Sequence, residues 1–341
     1  MKDLLDKLLQ TQSLSEDELQ SVFTAMFAGE LTPCQIASFL TAWRLAGESG
    51  KELAAGAKMM REAAISPPLP SSTRPLADNC GTGGDGSNSF NISTASAIVA
   101  AANGLKIAKH GNRSVSSKCG SADLLFAAGL PENLGPEKTA KLLEATGFTF
   151  FFAPHFHPVM KYVMPVRKEL GVRTIFNFLG PLANPISPEL QLIGVGDKRF
   201  LRPMAEAAQK LGIHKALVVH SEDGLDEISA NDITLGFLVG NGEISEFKFD
   251  PNSELGIAKN KCDISGGDPS ENLAILNRLF AGEKSGPFHA VCINAGALLW
   301  QSEKSSSIKE GYKLCQASIE SGSVKTYFQN WIEKAKEMAD K

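Results

Sequence analysis

Four glycines fall within residues 81–86, and a helical stretch opens shortly afterwards at Asn91, Ser93 and Thr94. A segment so rich in glycine forms a tight loop whose backbone N–H groups can approach a ligand closely, because no side chains intervene. The N-terminus of the following helix adds a field that favours anions. The segment therefore predicts a phosphate-binding loop. Asp85 lies inside it, and a carboxylate fits there if a metal ion or a sugar hydroxyl is nearby.

The same loop matches the G-x-G-x-x-G pattern of dinucleotide-binding proteins through Gly81, Gly83 and Gly86. That interpretation requires an acidic residue about 20 residues further on, where it would hold a ribose hydroxyl. The corresponding region here contains Lys109 and His110, which are basic. A purely structural turn would need neither four glycines nor the polar groups that follow. Phosphate binding is therefore favoured over both alternatives.

Beyond residue 72, short apolar runs alternate with helical stretches. Alternation of this kind is typical of an α/β domain with a mostly parallel central sheet flanked by helices. The predicted strands are 105–108, 148–153, 191–195, 216–220 and 290–293, the predicted helices between them are 94–102, 136–145 and 202–211, and helix returns from residue 308 onward.

The first 64 residues are predicted to be all-helical. Capping-box patterns begin at Ser15, Thr32 and Ser49, and the second has a proline in the first helical turn. The proline-rich segment 66–72 then marks a domain boundary. Residues 157–170 are predicted to be a helix kinked at Pro165, and 180–185 a rigid loop.

The composition excludes several classes of protein. The net charge of -4 gives no global reason to expect a nucleic-acid partner. No apolar run reaches the roughly 18 residues of a membrane helix, and the N-terminus lacks the features of a signal peptide. A cytoplasmic location is expected. The cysteines are scattered without a C-x-x-C pair, which argues against a zinc site and a disulfide framework; they are Cys34, Cys80, Cys119, Cys262, Cys292 and Cys315.

A basic loop follows the strand predicted at 105–108. Lys109 and Arg113 bring positive charge, and Gly111 permits close approach of the backbone. Hydroxyl groups follow at Ser116, Ser117 and Ser121. Alone, such a run is usually a solvated turn. It lies one strand–helix–strand unit after the glycine loop, so both are expected at the same sheet edge, where they would form a cradle for a pyrophosphate.

An acidic loop follows the strand predicted at 216–220. It contains two adjacent carboxylate pairs, Glu222–Asp223 and Asp226–Glu227. Magnesium prefers carboxylate oxygens and often shares them with substrate phosphates, so this loop is a candidate metal site opposite the basic loop. His155 and His157 have H-x-H spacing, but they lack a third soft ligand and are interpreted as loop histidines rather than a zinc site.

These motifs occur in one order that resembles the anthranilate phosphoribosyltransferases, members of the nucleoside phosphorylase/phosphoribosyltransferase fold family, along nearly the whole chain. The departures are Ser221 where glycine is usual, residues 125–127 in place of a stretch that carries a glutamate, and a loose turn at 250–255. The matching segments are 81–86, 90–94, 109–117, 120–123, 152–154, 165–167, 173–185, 223–229 and 294–296.

The resemblance implies two domains: residues 1–68 plus about 160–185 as a small helical domain that forms a homodimer, and residues 69–341 as a larger α/β domain. It implies transfer of the phosphoribosyl group of phosphoribosyl pyrophosphate (PRPP) to the amine of anthranilate, in tryptophan biosynthesis, with Mg²⁺. Lys109, Asp85 and Arg167 would act in catalysis, Gly81, Asn112 and Arg167 would contact anthranilate, and Ser93, Asp226 and Glu227 would hold the metal. PRPP would contact Gly81, Gly84, Asp85, Ser89, Asn91, Ile92, Ser93, Thr94, Lys109, His110, Gly111, Asn112, Arg113, Ser114, Val115, Ser116, Ser117 and Ser121.

Two alternatives stay open from the residues. A pyrimidine nucleoside phosphorylase of similar fold would use free phosphate as the attacking group, but the complete motif from Gly81 to Thr94 favours the transferase. A non-catalytic relative could bind nucleic acid, but the acidic net charge and the intact acidic loop speak against it.

Overall fold

The computed structural model describes residues 1–114, 118–259, 262–284 and 286–340. Its N-terminal part is a bundle of four helices. All three predicted capping boxes are present, with the side chains of Ser15, Thr32 and Ser49 accepting first-turn N–H groups. The helices are α1 (Lys2–Thr11), α2 (Glu16–Phe27), α3 (Pro33–Ala46) and α4 (Gly50–Glu62).

The remaining chain is built on a single sheet, in which seven strands can be assigned among the described residues. The spatial order is β3-β2-β1-β4-β5-β6-β7. The first five strands in that order pair in parallel, and the last two extend the sheet as an antiparallel hairpin. The predicted α/β class with a mostly parallel sheet is thus confirmed. The strands are β1 (Ala77–Asn79), β2 (Ile107–Gly111), β3 (Phe148–Phe152), β4 (Leu190–Gly194), β5 (Lys215–Ser221), β6 (Thr234–Gly240) and β7 (Glu243–Phe249).

Two apolar cores lie on opposite faces of this sheet. Successive side chains of a strand point to opposite faces, and β5 shows this directly. Leu217 and Val219 belong to the core shared with the C-terminal helices, whereas Ala216 and Val218 belong to the core shared with α1–α4. The remaining helices are α5 (Ile92–Ala102), α6 (Ser121–Ala127), α7 (Pro136–Thr146), α8 (Ala153–Phe156), α9 (Met164–Leu170), α10 (Phe176–Leu179), α11 (Leu201–Lys210), α12 (Pro251–Leu255), α13 (Pro269–Phe280), α14 (Phe288–Gln301), α15 (Ile308–Glu320) and α16 (Ser323–Ala339).

Two predictions of secondary structure are wrong. The run 290–293 is not a strand but part of the buried helix α14, because a short apolar run looks the same in a central strand and in a fully buried helix. Residues 157–170 are not one kinked helix. A 3-10 turn covers Pro158–Tyr162, and α9 starts anew at Met164. Pro165 therefore lies in a first helical turn, where proline is tolerated because its missing N–H has no intrahelical partner.

A buried polar cluster lies where the helical part meets the sheet. The Asp78 carboxylate accepts hydrogen bonds from Asn184 Nδ2 (2.9 Å) and from the backbone N–H of His110 (3.2 Å). The His110 ring bonds the carbonyl of Gly180 and meets the His157 ring edge-on, at 5.1 Å between centroids. Burial lowers the pKa of His110 to about 3 and that of His157 to about 4, so both imidazoles are neutral at pH 7. No helix in the described residues is long and apolar enough to cross a bilayer.

We expect the stability of the fold to depend on pH through His157. Its pKa is about 4 when folded and 6.5 in its usual range, so between these values the unfolded chain binds more protons and stability falls as the pH falls. His157→Gln should destabilise the protein at pH 7, and the difference from wild type should shrink by about 2 kcal/mol between pH 7 and pH 5. Denaturant unfolding at several pH values measures this.

His214→Gln, which removes an exposed imidazole, is the matched control and should change the free energy of unfolding at pH 7 by no more than about 0.5 kcal/mol. A constant gap between wild type and His157→Gln across the pH range would show that His157 does not carry this dependence.

Candidate active site

The glycine loop lies where the strand order of the sheet reverses. From β1 the chain moves outward through β2 and β3, and then returns to place β4 on the other side of β1. Loops that leave β1 and β4 diverge at such a point and leave a crevice, which is where open α/β sheets bind ligands. Here the two loops are tied at the base: Thr82 N donates to Gly194 O (2.9 Å), and Gly196 N donates to Thr82 Oγ1 (2.9 Å).

The acidic loop after β5 closes against the glycine loop. Gly83 N–H donates to Asp226 Oδ2 at 2.8 Å. A Cβ atom at Gly81 would collide with the Asp226 side chain, and one at Gly194 would collide with the Asp226 backbone. Glycine is therefore required at both positions for the approach of these two loops.

Carboxylates converge at this contact. Burial, followed by the charge of Asp85, raises the pKa of Asp226 to about 6. Burial and then the charge of Asp226 raise the pKa of Glu227 well above its usual range, while Lys109 opposes this. Three acidic groups and one lysine thus share a small volume. Among the described residues, no group of three or more His, Cys, Asp or Glu side chains is arranged to hold a metal ion by itself.

The glycine loop offers backbone N–H donors to a ligand. Among the described residues, the N–H groups of Gly84, Asp85 and Gly86 have no acceptor in the chain. The Asp85 side chain turns back to Ser87, whose N–H and hydroxyl it accepts. Gly84 has a φ of +71°, a conformation that L side chains rarely adopt. The loop therefore presents successive backbone donors, as an anion site requires.

The start of α5 offers fewer side chains than predicted. The Thr94 hydroxyl donates to Asn91 Oδ1 (2.6 Å) and is buried, and Ile92 is core. Ser93 is half-buried, and its backbone N–H bonds the Glu227 carboxylate, which places it beside the acidic pair. Ser89 pairs with Ser265 of a following segment. The Gly-Gly-Asp sequence of the glycine loop, residues 83–85, occurs again at residues 266–268, and Gly266 N donates to Asn88 O just after the loop.

Lys109 is the buried cation of the crevice. Only 1% of it is exposed, and its Nζ donates to the backbone carbonyl and the side-chain oxygen of Asn79. Asn79 in turn donates to Ser93 O at 2.7 Å, so the lysine is fixed to the start of α5. In the described part of the chain, no carboxylate lies within 4.0 Å of this ammonium group.

The other residues of the basic loop make contacts in two different parts of the protein. The His110 ring points to the buried cluster at the domain junction, so only its backbone can face the crevice. Gly111 contacts the Ser121 side chain, and the exposed Asn112 accepts hydrogen bonds through its carbonyl from Ser121 and Ala122. Ser114 N donates to Asp123. Val115, Ser116 and Ser117 lie outside the described residues.

Arg113 is engaged with acidic and aromatic neighbours. Its guanidinium pairs with Glu132 (2.7 Å) and Asp123 (3.4 Å) and lies 5.0 Å from the Phe126 ring centroid. Phe126 belongs to the stretch in which the sequence departs from the family pattern. A role of this arginine toward PRPP stays a prediction.

The helical segment after β3 carries two arginines, and one of them, Arg173, contacts the glycine loop. Arg167 on α9 lies over Phe176 and makes hydrogen bonds of 3.4 Å to Met164 Sδ and Asn177 Oδ1. Arg173 donates to the carbonyls of both Gly83 and Gly84 at 3.2 Å. Sequence reasoning had no pattern that could assign Arg173 to the glycine loop, because the contact joins residues about ninety positions apart. Neither arginine is paired with a carboxylate among the described residues.

Family models match both parts of the chain. One, the helical bundle domain of a glycosyl transferase family, matches residues 2–64, and the other, the a/b domain of that family, matches residues 73–325. The chain is 41% identical to anthranilate phosphoribosyltransferase from Hydrogenovibrio crunogenus over 99% of both chains. It is 43% identical to the enzyme of that name from Listeria welshimeri over the full length of both.

The chain belongs to the anthranilate phosphoribosyltransferase family. Solved structures agree. The enzyme from Thermus thermophilus has a TM-score of 0.90 at 40% identity, covering 98% of this chain and 99% of that one. The Saccharomyces cerevisiae enzyme in complex with PRPP and Mg has a TM-score of 0.88 at 28% identity, covering 98% of this chain and 97% of that one. The protein is therefore a glycosyltransferase-type enzyme, a phosphoribosyltransferase.

We expect Gly84→Val to abolish turnover while the fold survives. A side chain at Gly84 meets the Arg173 guanidinium at 3.2 Å in a backbone conformation with φ +71°, so the loop must move and its free N–H groups lose their direction. Steady-state assay and circular dichroism measure the two effects. Gly135→Ala, at an open position with negative φ, is the control, and a fully active Gly84→Val protein would disprove the role of this loop.

Proposed function

We propose that this crevice binds PRPP and anthranilate together and transfers the phosphoribosyl group to the amine of anthranilate, releasing pyrophosphate. The main support for this proposal is that three features lie together at one sheet edge. They are the free N–H groups of Gly84, Asp85 and Gly86, the buried Lys109, and the acidic pair Asp226 and Glu227. Donors for phosphate and acceptors for a cation lie side by side, as a metal pyrophosphate requires.

Mg²⁺ fits this acidic cluster. Burial, and then repulsion from neighbouring carboxylates, raises the pKa values of Asp226 and Glu227, and a divalent cation would offset both effects. Magnesium commonly uses one or two carboxylates and completes its shell with water and substrate phosphates, so a third protein carboxylate is unnecessary. Asp226, Glu227 and the hydroxyl of Ser93 would hold it. When bound, the metal neutralises charge on the pyrophosphate.

The residues of the chain suit this displacement. Bond breaking at the anomeric carbon sends charge onto the pyrophosphate, and Lys109 with the loop N–H groups is preorganised to receive it. The attacking aromatic amine is neutral at pH 7 and needs orientation more than a strong base. A hydrogen-bonded pair of nucleophile and base is therefore not required by this reaction.

Anthranilate is assigned to the side of Arg167. This guanidinium is partly buried, burial lowers its pKa, and its chain contacts are long ones to an amide oxygen and a thioether. A planar cation with no carboxylate partner in the described chain suits a planar carboxylate ligand. A solved structure of the Saccharomyces cerevisiae enzyme is a complex with 4-fluoroanthranilate, which supports a carboxylate site in this family.

The wider context follows from the same family. We place the enzyme in the cytoplasm, in tryptophan biosynthesis, as a homodimer joined through the small helical domain, formed by residues 1–68 and about 160–185. Several large apolar side chains of that domain are exposed, which supports association there; they are Leu9, Leu45, Tyr162 and Met164. The initial test is loss of anthranilate fluorescence in the presence of PRPP and magnesium.

Arg167→Ala should sharply weaken anthranilate binding and leave PRPP binding nearly intact. Losing a charge-assisted pair of this kind costs on the order of 2–4 kcal/mol. Titration of each ligand separately measures it. Arg202→Ala, on the exposed face of α11 and paired with Glu206, controls for the loss of an arginine. Equal weakening of both ligands, or of neither, would contradict the assignment.

The acidic pair is tested by Asp226→Asn combined with Glu227→Gln, which keeps the shapes and removes the charges. Activity should collapse, and excess magnesium should restore little of it. The unfolding midpoint should barely fall, or should rise, because like charges no longer repel in the free protein. Steady-state turnover across a magnesium titration is the measurement.

Glu222→Gln is the matched control in the same loop, because Glu222 is exposed and its side chain bonds Lys198 at the surface. Asp223 is unsuitable, since it accepts the Ser229 hydroxyl at 2.6 Å and shapes the loop. Wild-type turnover with unchanged magnesium dependence in the double variant would mean that the metal is held elsewhere.

A further inference from the structure

The two hydrogen bonds of Arg173 span adjacent peptides of the glycine loop. Its Nη1 donates to the carbonyl of Gly84 and its Nη2 to the carbonyl of Gly83, both at 3.2 Å. Only a planar guanidinium presents two parallel donors with this spacing, so the contact is a fork on two successive carbonyls.

This fork fixes the direction of the loop N–H groups together with Thr82 Oγ1, which also donates to the carbonyl of Gly83 (3.3 Å). In a planar trans peptide, the C=O and the following N–H point in opposite directions. Fixing the carbonyl of Gly83 toward Arg173 turns Gly84 N–H away from the guanidinium, and fixing that of Gly84 does the same for Asp85 N–H. These are two of the three loop N–H groups that lack an acceptor among the described residues. Gly83 N–H, the preceding one, is held by Asp226.

Arg173 is itself held by an aromatic stack rather than by an ion pair. Its guanidinium lies 5.3 Å from the ring centroid of Phe178, which stacks on Phe200 at 3.8 Å and 18°. Arg44, at the end of α3, lies 5.7 Å from the other ring. No carboxylate of the described chain lies within 4.0 Å of Arg173. The side chain is therefore oriented by the helical part of the protein, with its charge directed at the loop.

We propose that Arg173 is a positioning residue for PRPP, acting through the peptides of Gly83 and Gly84. The proposal rests on the proposed function, in which the glycine loop binds the pyrophosphate. In this proposal one chain segment acts on both substrates. Arg167 binds anthranilate, and Arg173, six residues later, orients the backbone donors that bind PRPP.

Arg173→Ala should raise the Kd and KM for PRPP by about tenfold or more, since two charge-assisted hydrogen bonds are lost, with the Kd for anthranilate within about twofold of wild type. Arg173→Lys keeps the charge and can donate to one carbonyl but cannot form the fork. Its Kd and KM for PRPP should lie between those of wild type and Arg173→Ala. Calorimetric titration with PRPP and magnesium, and separately with anthranilate, gives the affinities. Arg202→Ala, an exposed arginine that pairs with Glu206 on α11, should match wild type.

Added guanidinium at non-denaturing concentration should restore part of the PRPP affinity of Arg173→Ala, whereas methylammonium should not, because rescue depends on a planar donor. Unchanged PRPP affinity in Arg173→Ala would overturn the proposal. So would equal loss of both ligands with a matching fall in the unfolding midpoint, which indicates a purely structural role. Failure of the proposed function is separate, since wild type itself would then neither bind PRPP nor form product.

Discussion

The bond between Gly83 N–H and the Asp226 carboxylate joins the loops of β1 and β5, and the site depends on this approach. It is possible only because Gly81 and Gly194 lack side chains where Asp226 passes. It places a buried carboxylate next to the backbone N–H groups that are proposed to bind phosphate. The acidic loop and the glycine loop consequently form one site rather than two neighbouring ones.

This site holds charges of both signs that form no ion pair among the described residues. Burial raises the pKa values of Asp226 and Glu227, and the charge of Asp85 adds to the rise at Asp226 as the charge of Asp226 does at Glu227. Lys109 and Arg167 lie within the protein without a carboxylate partner in the described chain. Such charges destabilise a free protein and are retained where a ligand of matching charge completes them. Under the proposed function, a magnesium pyrophosphate and an aromatic carboxylate would together supply partners for the charges of both signs.

Sequence patterns predicted most of this arrangement because its parts are local. Capping boxes, the glycine loop and the strands leading to Lys109 and Asp226 are each encoded within about ten residues. Three-residue β1 was too short to be recognised, and buried α14 resembled a strand. The contact of Arg173 with the glycine loop was beyond reach, since local patterns carry no information on tertiary approach.

The remaining question is why the helical part should take part in a site built on a sheet. A sheet edge can position phosphate ligands by itself, but the donors of its loops are better oriented when another part of the protein fixes their peptide planes. The stack of Arg173 on Phe178 and Phe200 provides that restraint from the opposite wall of the crevice. Arg167 lies on the same segment, so under the proposed function one wall would bind the nucleophile and also orient the donors on the other wall. The reacting amine and the anomeric carbon would then be positioned by the same segment, and a displacement that depends on orientation requires such positioning.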